Sequence, residues 1–174
     1  NVGFRLDGDF APVIKLASAY HVLVVHPSVP AKSLAELVVL LKSQPDKYTF
    51  SSGGFGTPAH LSGELFKLQT KTFITHIPYR GAGPALQDLI AGQVDMMFDG
   101  LGSSATHIKA GRIKGLAVAS DKRAPGVPDL PATAELGLAS YQVATWYGLW
   151  APKGTPKDVV ERIQAELRKA LNSE

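Results

Sequence analysis

The run Ser51-Ser-Gly-Gly-Phe-Gly-Thr-Pro-Ala-His60 carries the residue types that can hold an anion. Ser51, Ser52 and Thr57 supply hydroxyl donors. Gly53, Gly54 and Gly56 remove side chains and leave backbone N–H groups open to a ligand. A helix opening just after Thr57 would add the positive end of its dipole to those donors. His60 would stand just inside that helix. The run is not a P-loop, because no Gly-Lys-Ser/Thr follows, and it lacks the third glycine of a dinucleotide-binding turn. A glycine turn capped by Thr57 and holding no ligand is the simpler alternative.

Two further candidates follow the next strand-like segments. Tyr79-Arg80-Gly81 comes after an apolar run, so Arg80 can pair with a carboxylate or can be an ordinary surface arginine. Asp99 precedes Gly100 and Gly102, where it can accept from a ligand hydroxyl or amine, or cap a helix at Ser103–Ser104. Catalysis has little support. Ser51, His60 and Asp95 or Asp99 can be imagined as a triad, but nothing in their spacing favours one, and there is no Gly-x-Ser-x-Gly elbow. The five histidines, His21, His26, His60, His76 and His107, never pair three or four apart, so no helical metal site is expected. With no cysteine there is no disulfide framework or thiolate site. No cofactor motif is present.

These candidates need a scaffold, and the chain reads as one. Its 174 residues are 45% hydrophobic, which suits a globular chain of one good core or two modest lobes. No apolar run approaches the roughly 18–20 residues that cross a bilayer. The chain opens on Asn-Val-Gly-Phe without a secretory leader, which marks it as mature or trimmed. Net charge is +3, too small and too dispersed for a nucleic-acid surface, although a mildly positive protein suits a small anion. Lys109, Arg112, Lys114, Lys122 and Arg123 read as a solvated face.

Residues 10–26 read as extended. Ser33 with Glu36 forms a capping box before a helix with Leu34, Leu37, Val38 and Leu41 on one face. A strand over 48–52 leads into the glycine-rich run. The following helix is expected to bury Leu61, Leu65, Phe66 and Leu68. Next come a strand at 73–78, a helix with Pro84 at its first position and Gly92 closing it, a strand at 94–98, a helix at 104–110 and a strand at 116–119. This alternation predicts a mostly parallel sheet with helices on both faces. It places the three candidate loops on one rim, at the carboxyl ends of strands. Beyond it lie a Pro- and Gly-rich stretch at 121–140 with a short helix at 132–136, an aromatic extended segment at 141–150, and a helix from Lys157 to Leu171. Trp146, Tyr147 and Trp150 can line a strand between lobes or pack in a core. Residues 24–37 and 149–163 echo each other as strand, Pro, turn, Pro and amphipathic helix, which suits two similar crossings between two lobes or a common phrase met twice.

Read together, Phe10-Ala-Pro-Val, the Ser51–Leu61 loop, His76-Ile-Pro-Tyr-Arg-Gly-Ala-Gly-Pro-Ala-Leu-Gln-Asp-Leu, Gly92-Gln-Val-Asp-Met-Met-Phe-Asp, Gly115-Leu-Ala-Val-Ala-Ser and Trp146-Tyr-Gly-Leu-Trp-Ala-Pro-Lys-Gly-Thr-Pro resemble the tripartite tricarboxylate transporter receptors, also called Bug receptors. The resemblance implies an α/β fold of the type II periplasmic-binding class. It implies a non-enzymatic periplasmic receptor that closes two lobes over a small carboxylate and presents it to membrane transporter subunits. Carried over, Ser51 to Thr57 and His60 form the carboxylate loop, with Tyr79, Arg80 and Asp99 on matching blocks. Residues 1–21 become the end of a first lobe and its crossover, 22–120 a complete second lobe, and 121–174 the return crossover with the C-terminal share of the first. The family's signal peptide and most of its first lobe would precede Phe10. Apolar surface on the 141–171 segment, including Val143, Trp146, Leu149 and Trp150, would then be open to self-association. Two other classes compete: the effector domain of a transcription regulator, with the same two-lobe architecture, and a hydrolase.

Overall fold

The structure is a computed structural model and describes residues 3–173. It divides into two compact units. The larger is Ala19–Thr145; the smaller joins Asn1–Ser18 to Trp146–Glu174. The larger unit therefore takes in residues 121–145, which the sequence reading grouped with the C-terminal remainder.

The elements run α1 (Leu6–Asp9), β1 (Phe10–Val25), α2 (Leu34–Ser43), β2 (Thr49–Ser52), α3 (Pro58–Thr70), β3 (Thr75–Pro78), α4 (Ala82–Ile90), β4 (Met96–Gly100), α5 (Leu101–Lys109), β5 (Lys114–Val118), a 3-10 turn (Thr133–Leu136), β6 (Ala144–Pro152) and α6 (Lys157–Leu171). The sheet order is β3-β2-β4-β1-β5, with β6 pairing β1 off this path. β2 runs parallel to β3 and to β4. β1 runs antiparallel to both β4 and β5. The sheet is thus parallel-rich, as expected, but β1 runs against its neighbours β4 and β5. Alternating apolar faces do not encode strand direction, and an even run such as Val22–Val25 reads the same either way.

Both sheet faces are covered, and the period of two along each strand sorts the core. Leu23, Val25, Met96 and Phe98 face a cluster with Leu34, Leu37 and Leu41 of α2 and Phe66 of α3. Val22, Val24, Met97 and Val118 face Leu86 and Leu89 of α4. Tyr141 closes the first cluster, and its hydroxyl donates to the Ser62 carbonyl at 3.0 Å. The capping expected at α2 is present, since Ser33 accepts from the Glu36 N–H. The Glu36 carboxylate reaches one residue further back, to the Lys32 N–H.

Three local expectations fail. Of the side expected to face inward on α3, Phe66 is buried and Leu65 packs against the core, but Leu61 and Leu68 are exposed, and Ala59, Ser62, Gly63 and Thr70 are buried in their place. The reason is proximity. A Cβ on Gly63 would stand 2.2 Å from Phe50 Cε2, so α3 lies almost on the β2 ring and only small residues fit between. Pro84 is the third residue of α4, not the first, because the helix starts directly from the Gly81 turn. Asp99 lies within β4 and is buried, rather than following the strand.

In the smaller unit, α6 carries its apolar residues on one side, yet none of them is buried. Trp146 and Trp150 lie 5.4 Å apart over Gly148, and the Gln164 side chain donates to the Val13 carbonyl.

Candidate functional site

Two glycine turns meet at the carboxyl ends of β2 and β3. The Gly81 N–H donates to the Gly53 carbonyl at 3.1 Å, and the Tyr79 N–H to the Ser52 carbonyl at 2.9 Å. A Cβ on Gly53 would lie 3.0 Å from Ala82 N and 3.1 Å from Gly81 C, so the backbone of the facing turn would have to give by a few tenths of an ångström. Glycine at 53 is what allows the two turns to touch. Gly54 and Gly56 adopt φ of 125° and 75°, which L side chains rarely reach, so the chain turns out and back around Phe55. Thr57 caps α3: its Oγ1 faces the His60 N–H at 3.5 Å and donates to the Gly54 carbonyl at 2.7 Å.

The backbone N–H groups of Gly53, Phe55, Ala59, Ala82 and Gly83 form no hydrogen bond among the described residues. They flank the start of α3 and the start of α4, where the helix dipoles present positive charge. This is donor chemistry suited to a carboxylate or similar anion.

The side chains named from sequence divide differently. The Ser51 hydroxyl is buried and donates to the Ala85 carbonyl at 3.4 Å. The buried Ser52 hydroxyl lies 2.6 Å from His76 Nε2 and 3.1 Å from both the Gly54 carbonyl and its N–H. The Tyr79 hydroxyl donates to Asp88 at 2.7 Å. Burial, with that bond, pushes its pKa up to about 12. The Asp99 carboxylate accepts 2.6 Å bonds from both Ser103 and Ser104 and so ties β4 to α5. Arg80 is exposed and makes no ion pair among the described residues. Ser51, Ser52, Tyr79 and Asp99 thus shape the rim from behind, while the open donors are backbone.

The imagined triad does not assemble. His60 Nδ1 accepts from the Gly56 N–H at 3.1 Å, and its Nε2 lies 4.0 Å from Glu64. Three serine–histidine contacts do form, all away from such a role; one is local, His26 Nδ1 with Ser28 at 2.7 Å. His21, buried in the larger unit, sits between Ser62 at 3.2 Å and Thr145 at 2.8 Å. His76, bonded to Ser52, has no partner on Nδ1, so no carboxylate orients it as a base. Burial, then the neighbouring His60, lowers the pKa of His76 and keeps it neutral. The Nε2–H tautomer, with the Ser52 hydrogen on the Gly54 carbonyl, leaves only an acceptor unsatisfied. Among the described residues no three His, Asp or Glu gather as a metal site, and no helix is long and apolar enough to cross a membrane.

Sequence reasoning missed a stack that rises from the core to this rim. Phe50 and His76 stack at 4.7 Å, His76 and His60 lie 4.3 Å apart, and Phe55 stands edge-on to both imidazoles at 5.5 and 5.2 Å. Phe55 is 77% exposed. Its position between Gly54 and Gly56 was the available signal, because a large aromatic in a glycine turn has no core reason to be there.

The model of the tripartite tricarboxylate transporter family receptors matches residues 1–174. The chain belongs to that family. The family is one of receptors, not of enzymes. A Pseudomonas sp. protein from a tcbD–tcbE intergenic region is 42% identical over 171 residues, 98% of this chain and 51% of that protein. BugT of Bordetella pertussis is 32% identical over 173 residues, 99% of this chain and 53% of that protein. This chain therefore spans about half the length of the relatives it matches. Among solved structures, an R. palustris protein with adipate aligns at a TM-score of 0.94 and 36% identity, covering 100% of this chain and 58% of that one. MatC from Rhodopseudomonas palustris with bound malate aligns at 0.90 and 35%, covering 100% and 59%. The fold is that of the periplasmic binding proteins.

Proposed function

We propose that this chain forms the carboxylate-anchoring part of an extracytoplasmic receptor, one that captures a small organic acid and delivers it to the membrane subunits of a tripartite transporter. The observation that carries this reading is the meeting of the Gly53 and Gly81 turns, with unpaired backbone N–H groups at two helix starts. The adipate and malate in the two R. palustris structures support a carboxylate as the ligand class. On this reading the larger unit is one lobe, and the smaller unit is a share of the other. The donors are the N–H groups of Gly53, Phe55, Ala59, Ala82 and Gly83, with Arg80 at the edge, and Gly54, Gly56 and Thr57 give the loop its turn. Ser51, Ser52, His60, Tyr79 and Asp99 act by holding these loops. A transcription-regulator effector domain has no observation in its favour.

One rim does not suffice for tight binding. Each hydrogen bond to a charged group contributes about 1.5–3 kcal/mol, so three give about 5–9. Lost ligand freedom is subtracted from that, while micromolar affinity needs about 8 kcal/mol net. The second lobe must supply the rest, and this chain alone binds at about millimolar or weaker. Gly54→Val tests the site. Its Cβ would meet the Tyr79 carbonyl at 3.3 Å and force a branched side chain to positive φ. Calorimetry of the full-length receptor with adipate and malate should show binding lost in the variant while its circular dichroism stays unchanged. Equal affinities in wild type and variant would remove this loop as the anchor.

A further inference from the structure

We infer that Phe55 sorts the ligands of this rim: its exposed ring covers the apolar carbons next to an anchored carboxylate, and His60 positions it. The inference rests on the carboxylate reading above and adds the kind of acid that is preferred, one with a methylene or aryl stretch beside its charge.

Three observations carry it. Phe55 joins, in a single residue, an unpaired backbone N–H and a ring 77% exposed at the same rim. An anion held by that N–H brings its own neighbouring atoms within reach of the ring. Second, the ring is held in place. It stands edge-on to His60 and His76, and His76 in turn stacks on Phe50, which is fully buried. An aromatic fixed by two edge contacts loses little freedom when a ligand covers it. Third, the surface behind it is not cationic. His76 is kept neutral by burial and by His60. The charges beyond, Glu64 and Lys67, pair with each other at 2.9 Å. On that side a second carboxylate meets no unpaired lysine, whereas carbon atoms meet the ring. His60 is the positioning residue. Its Nδ1 accepts the Gly56 N–H at 3.1 Å, which fixes the residue that follows Phe55.

Each methylene covered is worth about fourfold in affinity. The test is a heteronuclear NMR titration of the 174-residue chain with acetate, succinate and adipate, read at the amides of Gly53, Gly54 and Gly56. Wild type should bind adipate at least about fourfold more tightly than acetate. Phe55→Ala should bring adipate down to the acetate value and leave acetate within about twofold. Phe55→Leu should restore part of the difference, because an apolar surface suffices. His60→Ala should weaken the adipate preference, and His60→Gln, whose side-chain oxygen can accept the Gly56 N–H, should keep more of it. Wild type with no preference for adipate over acetate, or a preference that survives Phe55→Ala, overturns the inference while the carboxylate anchor stands. Loop amides that respond to none of the three acids overturn the anchor itself, and the inference with it.

Discussion

Replacing Gly63 by alanine sets two effects of opposite sign against each other. Alanine in a helix interior is favoured over glycine by about 1 kcal/mol. Against that, a Cβ at 63 falls 2.2 Å from Phe50 Cε2, 2.6 Å from Cζ and 2.8 Å from Cδ2. Ordinary contact begins at 3.4 Å, so the ring must retreat by about 1.2 Å. It has nowhere to go: Phe50 is fully buried, stacked on His76 at 4.7 Å and edge-on to Phe98 at 5.9 Å. Overpacking costs about 1–3 kcal/mol, and a displacement this large belongs in the upper half of that range. After the helix gain is subtracted, Gly63→Ala should destabilise by about 1–2 kcal/mol. Urea unfolding should be followed by far-ultraviolet circular dichroism, because both tryptophans lie outside the larger unit. The midpoint should fall with an unchanged slope. Phe50→Leu removes the obstructing ring edge. In that background the alanine should be neutral or stabilising, giving a coupling of about 2 kcal/mol in the double-mutant cycle. A Gly63→Ala protein at least as stable as wild type would refute the close seating of α3 on β2.

Two other outcomes follow from the structure. Burial lowers the pKa of His21 below its ordinary 6.5, with Asp99 pulling partly the other way. Between the lowered folded value and 6.5 the unfolded chain holds a proton that the folded chain does not. Stability is therefore full above about pH 6.5 and declines as pH falls below it, with His76 adding the same sign. His21→Gln should make that decline shallower, as read from urea midpoints at a series of pH values; an unchanged slope would discount His21. The second outcome concerns α6, where Val159, Ile163, Leu167 and Ala170 lie along one unburied face of the helix. A protein of these 174 residues alone should show a concentration-dependent mass by light scattering, and Ile163→Glu with Leu167→Glu should return it to monomer. A strictly monomeric parent chain would count against this face as a contact surface.

Much of the scaffold was legible because its signals are local. Ser33 and Glu36 mark the start of α2, glycines close several helices, and α6 runs over Lys157–Leu171 as its periodicity indicates. The glycine-rich run was visible for the same reason. Strand direction was not, because Val22–Val25 is apolar on both faces and carries no mark of which neighbours run with it. The buried side of α3 was misread on a related ground. Leucine spacing reports hydrophobicity, whereas the face turned inward there was set by distance, and Gly63 and Ser62 win it by being small.

The division of labour among site residues was the least legible part. Serine, tyrosine and aspartate beside glycine turns look like ligand groups in a sequence, since type and neighbourhood are all it shows. In the fold, the Ser51, Ser52, Tyr79 and Asp99 side chains each already have a partner in the same unit. A buried hydroxyl with a partner gains nothing from a ligand that must displace that partner, so these groups fix loop shape. The open donors are backbone N–H groups, which every residue but proline possesses and no sequence pattern distinguishes. What the sequence can show is where such groups are uncovered. Gly53 permits one turn to rest against another, and Gly54 and Gly56 turn the chain around Phe55. On the proposed reading the rim holds a carboxylate through these N–H groups, and discrimination among acids falls to the side chain the glycines leave standing, which in this loop is Phe55.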